Sequence, residues 1–192
     1  MMARLAALVL LAASCGSVSG AEFLSPGTTL ESVPEAPAIV TLPAEPVICV
    51  AVETGRAEPD RSDKIIAAHN RAYHFSKDNG LALRRGALEI SPAYEEPGGM
   101  WRTEACRAIE ALPEKTYPDA SDLKFYAVPP GKAVQALHRG SHDTIRNTID
   151  KLEAFIREKG LERKGPLVEY HFNHKPPEEE HLQISVVTLY VK

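Results

Sequence analysis

Cysteine is scarce in this chain of 192 residues: there are three, Cys15, Cys49 and Cys106. None falls in a Cys-x-x-Cys pair, so neither a dithiol redox motif nor a zinc-finger spacing is available. No Gly-x-Ser-x-Gly elbow is present to present a serine nucleophile, and Gly140-Ser141 reads as a helix cap. An excess of basic residues is lacking as well. Lys and Arg number 22 against 26 Asp and Glu, for a net charge of −4, and no helix-turn-helix pattern appears. No nucleic-acid partner is therefore expected. The longest apolar run, 5–13, is far below the roughly 20 residues of a membrane span.

That short run has another meaning. Arg4 precedes it and the small residues of 14–21 follow it, which is the pattern of a secretory signal over 1–21, cleaved after Gly20 or Ala21. The expected location is therefore periplasmic or secreted. Ala12-Ala13-Ser14-Cys15 also resembles a bacterial lipobox without its usual Leu, so an alternative is a lipoprotein anchored at Cys15, the one route to a membrane. Export leaves Cys49 and Cys106. They can form a disulfide if their strands are neighbours; two buried thiols are the alternative.

Residues 22–37, with Pro26, Pro34 and Pro37, form an extended lead-in, and Pro43 and Pro46 follow. Strands are expected at 38–42, 47–52, 87–90 and 101–109, with a helix over 62–79 capped by Ser62 and stopped by Gly80. After a polar linker, 110–122, the order returns. Strands fall at 123–128 and 133–138, a helix capped by Ser141 runs to 159, Gly160 stops it, and strands at 167–172 and 182–191 close the chain. The two helical segments are weak copies offset by 80 residues: Ile65 falls on Ile145, Ala72 on Leu152, Phe75 on Phe155, Gly80 on Gly160. A self-match at one period signals a duplicated unit. The expected fold is α+β, a tandem strand-helix-strand-strand unit (halves 38–110 and 122–192) making one domain over 38–192. Its antiparallel sheet carries two helices, with a ligand cleft at the pseudo-two-fold seam.

Val128-Pro129-Pro130-Gly131-Lys132, Leu137-His138-Arg139-Gly140-Ser141, Gly160-Leu161, Gly165-Pro166 and Glu169-Tyr170-His171 occur in that order. This succession resembles the GyrI-like small-molecule-binding domain, the effector-binding domain of AraC-type and multidrug-responsive bacterial regulators. The resemblance implies an amphipathic or aromatic ligand in the cleft between the halves, among aromatics and an acidic residue. The sequence departs from those regulators in carrying an export signal and no DNA-binding domain, and in lacking a Pro near Val186-Val187.

Alternation along 167–172 sets Glu169 and His171 on one face and Val168, Tyr170 and Phe172 on the other. Glu169 and His171 are expected on the face away from the helix, lining the cleft, because a carboxylate beneath a helix needs a dedicated partner. Trp101, the single Trp, offers a stacking platform; Tyr126, His138 and, more weakly, Tyr94 complete the candidate ligand contacts. His171-x-x-His174 and His138-x-x-x-His142 fall outside helix interiors, so no metal site is expected, and Glu178-Glu179-Glu180 is a solvated run. The reading is an exported, non-catalytic binding protein without a cofactor, its protein partners unknown. One alternative is a small hydrolase, with Glu169 as general base and Tyr126 or Tyr170 as proton donor. The other is a haem or tetrapyrrole binder, since the SOUL family resembles this duplicated architecture, with His138 or His171 on the haem.

Overall fold

The computed structural model describes residues 30–55, 58–84, 87–91, 100–173 and 177–192. The expectations for the signal segment, for Tyr94 and for His174 lie outside these residues, as does the side chain of Trp101. Eight strands and two helices alternate: β1 (Ala38–Leu42), β2 (Glu45–Gly55), α1 (Arg61–Asp78), β3 (Ala87–Ser91), β4 (Met100–Ala108), β5 (Leu123–Val128), β6 (Gly131–Arg139), α2 (Ile145–Glu158), β7 (Arg163–His171) and β8 (Ile184–Val191).

The strands form one antiparallel sheet in the order β1-β6-β8-β7-β3-β4-β2-β5. If β1–β4 are set upon β5–β8 in sequence, this order reads the same from either end. Each half also gives its first strand to the other. β1 pairs with β6, and β5 pairs with β2. The halves are thus tied at both edges as well as through the central β3–β7 pair, and one core, from Val47 to Tyr190, draws on both.

The helices follow the same correspondence. α1 buries Ile65, Ala68, His69, Ala72 and Ser76, and α2 buries Ile145, Thr148, Ile149, Leu152 and Ile156. Each position in one list is 80 residues from its counterpart. Both helices stop alike, because Gly80 and Gly160 take φ of 67° and 62°, the left-handed conformation that costs a glycine least. Leu81 N then donates to Ser76 O at 2.9 Å, and Leu161 N to Ile156 O at 3.0 Å.

The helix starts differ. Ser141 caps a 3-10 turn, His142–Thr144, by accepting from Asp143 N, and the turn leads into α2. Ser62, expected to cap α1, instead lies inside its first turn, and the cap position falls to Asp60 without a side-chain bond. Glu58 holds this end, accepting from Thr54 Oγ1 at 2.9 Å and pairing with Lys64.

The two faces of the sheet bury different things. On one, α1 packs against β2 and β4 through Ile48, Val52 and Ala105, while α2 packs against β6 and β8 through Val134, Val187 and Leu189. The central strands β3 and β7 therefore run between the helices, with Leu167 reaching the α2 cluster. Among the described residues the other face carries neither α-helix and is closed by its own strands, with the 3-10 turn Leu30–Ser32 packed against it. Val47, Cys49, Cys106, Val128, Ala133, Val168, Tyr170, Val186 and Tyr190 form one core there, joined by Val33 from the lead-in. Cys49 and Cys106 are register partners on β2 and β4 and are joined by a disulfide inside this core.

Candidate functional site

Strand parity decides which side chains can meet. On β7, Leu167 joins the α2 cluster and Val168 the opposite core. Glu169 and His171 therefore share the helix-bearing face, while Tyr170 and Phe172 point the other way. This corrects the expectation that Glu169 and His171 would line a face away from the helices. That face is filled by the self-packed core. Glu169 sits near the middle of the sheet, opposite Val187 on β8 and Glu89 on β3, and is only 3% exposed.

A carboxylate so buried needs partners. Glu169 Oε2 lies 3.8 Å from His171 Nε2, on its own strand, and 3.9 Å from His142 Nδ1, in the turn that begins α2. The two imidazoles are tilted, with centroids 5.4 Å apart. His171 is fixed from behind, its Nδ1 3.0 Å from the hydroxyl of Ser185, its register partner on β8. His142 is the more exposed of the two.

His138 lies on the same face, its β6 position also opposite Ser185. Its Nε2 is 3.1 Å from Ser141 O, and a carbonyl only accepts, so Nε2 carries the proton. Nδ1 then accepts from Thr148 Oγ1 at 2.8 Å. Burial lowers its pKa, the Ser141 carbonyl pulls the other way, and Lys151 and His171 lower it further. It is a neutral, doubly held histidine that ties β6 to α2. Beside it a groove of about 420 Å³ runs along α2, with Thr144, Thr148 and Lys151 on one wall and Arg139 and Glu35 on the other.

Tyr126 lies on the opposite face. Its hydroxyl donates to Glu104, which Lys124 also pairs at 2.6 Å, and it sits 3.8 Å from Cys49 Sγ. Burial first, then Glu104, pushes its pKa up. The sheet thus separates Glu169 from both Tyr126 and Tyr170. The proposed pairing of a Glu169 base with either tyrosine is not assembled here. His138, one of the two haem-ligand candidates, has both ring nitrogens engaged. Trp101 is known by register alone, opposite Thr54 on β2.

Sequence reasoning brought Glu169 and His171 to one face and named His138 separately, and it missed that His142 joins Glu169 and His171. No spacing could show it, because His142 and Glu169 meet only once the start of α2 is laid over β7. A second polar set was missed too. Glu45, at the start of β2, is 3% exposed, with Arg84 Nη1 3.2 Å from its Oε1.

No curated protein matches the chain. Solved structures do. The crystal structure of the EcmrR C-terminal domain superposes with a TM-score of 0.65 at 16% identity, over 81% of this chain and 96% of that one. A complex of EcmrR with DNA matches with a TM-score of 0.66 at 18% identity, over 81% of this chain and 57% of the regulator. A hydrolase from Listeria innocua matches with a TM-score of 0.58 at 13% identity, over 84% of this chain and 94% of the other. At such identities the likeness is one of fold. The family model of the GyrI-like small molecule binding domain matches residues 35–186, a span that takes in β1 to β7, both helices and the start of β8, and the chain belongs to that family.

Proposed function

We propose that this chain is an exported small-molecule-binding protein that holds an amphipathic or aromatic ligand between α1 and α2, over the central β3–β7 pair. The observation that carries the reading is Glu169, a carboxylate buried at the centre of the sheet on the face the helices flank. A ligand with a cationic group gives that carboxylate a counter-charge. Export rests on the signal pattern of 1–21, and a disulfide within the core suits an oxidising compartment. EcmrR is seen in a complex with DNA; this reading gives the chain a small molecule and no nucleic acid.

The test is a titration with rhodamine 6G, a fluorescent aromatic cation, followed by anisotropy, with anionic fluorescein as the control. The expected result is saturable binding of the cation alone, weakened at least ~10-fold (about 1.4 kcal/mol) in Glu169→Gln. Equal affinity for the two dyes, or an unchanged affinity in a folded Glu169→Gln protein, would contradict the reading.

A further inference from the structure

We infer that His142, Glu169 and His171 form a binding site for a divalent transition-metal ion of the Zn²⁺ type. The potential ligand atoms Nδ1 of His142, Oε2 of Glu169 and Nε2 of His171 all lie within 4.8 Å of one another. Two edges of this triangle are 3.8 Å and 3.9 Å. An ion held tetrahedrally about 2.0–2.2 Å from each atom spans edges of roughly 3.3–3.6 Å. The two measured edges are wider than this by a few tenths of an ångström, a gap that small side-chain rotations, chiefly of the more exposed His142, would close.

The chemistry of the set agrees with its size. Two imidazoles and one carboxylate suit Zn²⁺ and its neighbours in the first transition row, and three protein ligands leave a position for water or an organic ligand. His171 is also placed as a ligating histidine usually is. Its Nδ1 is engaged with Ser185 Oγ at 3.0 Å, which orients the ring and directs Nε2 toward Glu169. The ligands come from two elements of different type, the middle and end of β7 and the turn opening α2. A bound ion would therefore tie the start of α2 to the central strands. This ion site shares Glu169 with the proposed ligand site, so an ion and a ligand cation would compete for it, and the test reads the ion alone with no organic molecule present.

The test uses the purified protein, stripped with a chelator, dialysed, and titrated calorimetrically with ZnCl₂ in a non-coordinating buffer. One equivalent should bind saturably and raise the melting temperature. Glu169→Gln and His171→Ala should each weaken binding by more than the ~10-fold that loss of even an outer-shell partner brings, and His142→Ala should do likewise. His74→Ala and His181→Ala, at exposed positions, should titrate as the wild type does. Circular dichroism and melting of the stripped variants establish that each is folded; Glu169→Gln, nearly isosteric, keeps the test usable if His171→Ala fails. Absence of one-to-one binding in the wild type, or wild-type affinity in folded Glu169→Gln, would overturn the inference. So would loss of binding in His74→Ala or His181→Ala with the three proposed ligands intact.

Discussion

Reducing the bond between Cys49 and Cys106 is expected to lower the unfolding free energy by about 4 kcal/mol. The two residues are 57 apart in sequence, and the entropy that a crosslink removes from the unfolded chain grows with the loop it closes. Both cysteines are fully buried among Val47, Ala108 and Val128, and they join strands already paired in register. The bond is thus a constraint on the unfolded chain more than an addition to native contacts. Urea unfolding with and without reductant measures it, with Cys49→Ala/Cys106→Ala as the permanently reduced form. A thiol assay on the native, non-reduced protein should find neither cysteine reactive, and the reduced transition should shift to much lower denaturant. Coincident transitions would mean that the two cysteines are buried thiols.

The second large effect is on pH dependence, and it belongs to Glu45. Burial pushes its carboxyl up to about 7 from the usual 4.5, and the nearby Arg84 guanidinium only partly opposes this. The buried Tyr190 hydroxyl faces the same carboxylate and is itself pushed up to about 12, first by burial and then by Glu45. Between about pH 4.5 and 7 the folded protein holds a proton that the unfolded chain has released. Stability from this group is therefore complete below about pH 4.5 and is lost as pH rises through about 7, by about 3 kcal/mol.

His138 acts in the opposite sense. Its lowered pKa means that the unfolded chain takes up a proton first as pH falls through its usual 6.5, so its contribution is lost on the acid side. The contribution of Glu45 is thus read as the difference between wild type and Glu45→Gln. That difference should favour the variant increasingly from pH 5 to pH 8. Parallel profiles for the two proteins would show that Glu45 does not titrate in this range.

Much of the fold was legible because it rests on local physics. The strands at 38–42 and 123–128 fall where proline and glycine bound short β-rich runs. Both helices carry stripes at helical spacing and end at glycines that take positive φ. The α1 start was misplaced because Ser62 has the chemistry of a cap, while the chain entry through Glu58 and Thr54 decides where the helix begins. Strand partners were not legible. Nothing local in 38–42 says that it pairs with β6 of the other half rather than with β2, its neighbour in sequence.

The site was half-legible for the same reason. Alternation put Glu169 with His171 and apart from Tyr170, and this holds in the structure. Which face they share depends on where the helices pack and on how the sheet's other face closes, both set by long-range contacts. The assumption that a helix covers one whole face was the error. Each helix covers two strands, leaving the middle pair between them.

A crystal structure of the protein with bound rhodamine 6G tests the central claim most directly. The account predicts the dye between α1 and α2, over β3 and β7, with its cationic system against Glu169. Dye lodged instead against Tyr126 on the opposite face, or in the groove beside His138 and Lys151, would contradict it.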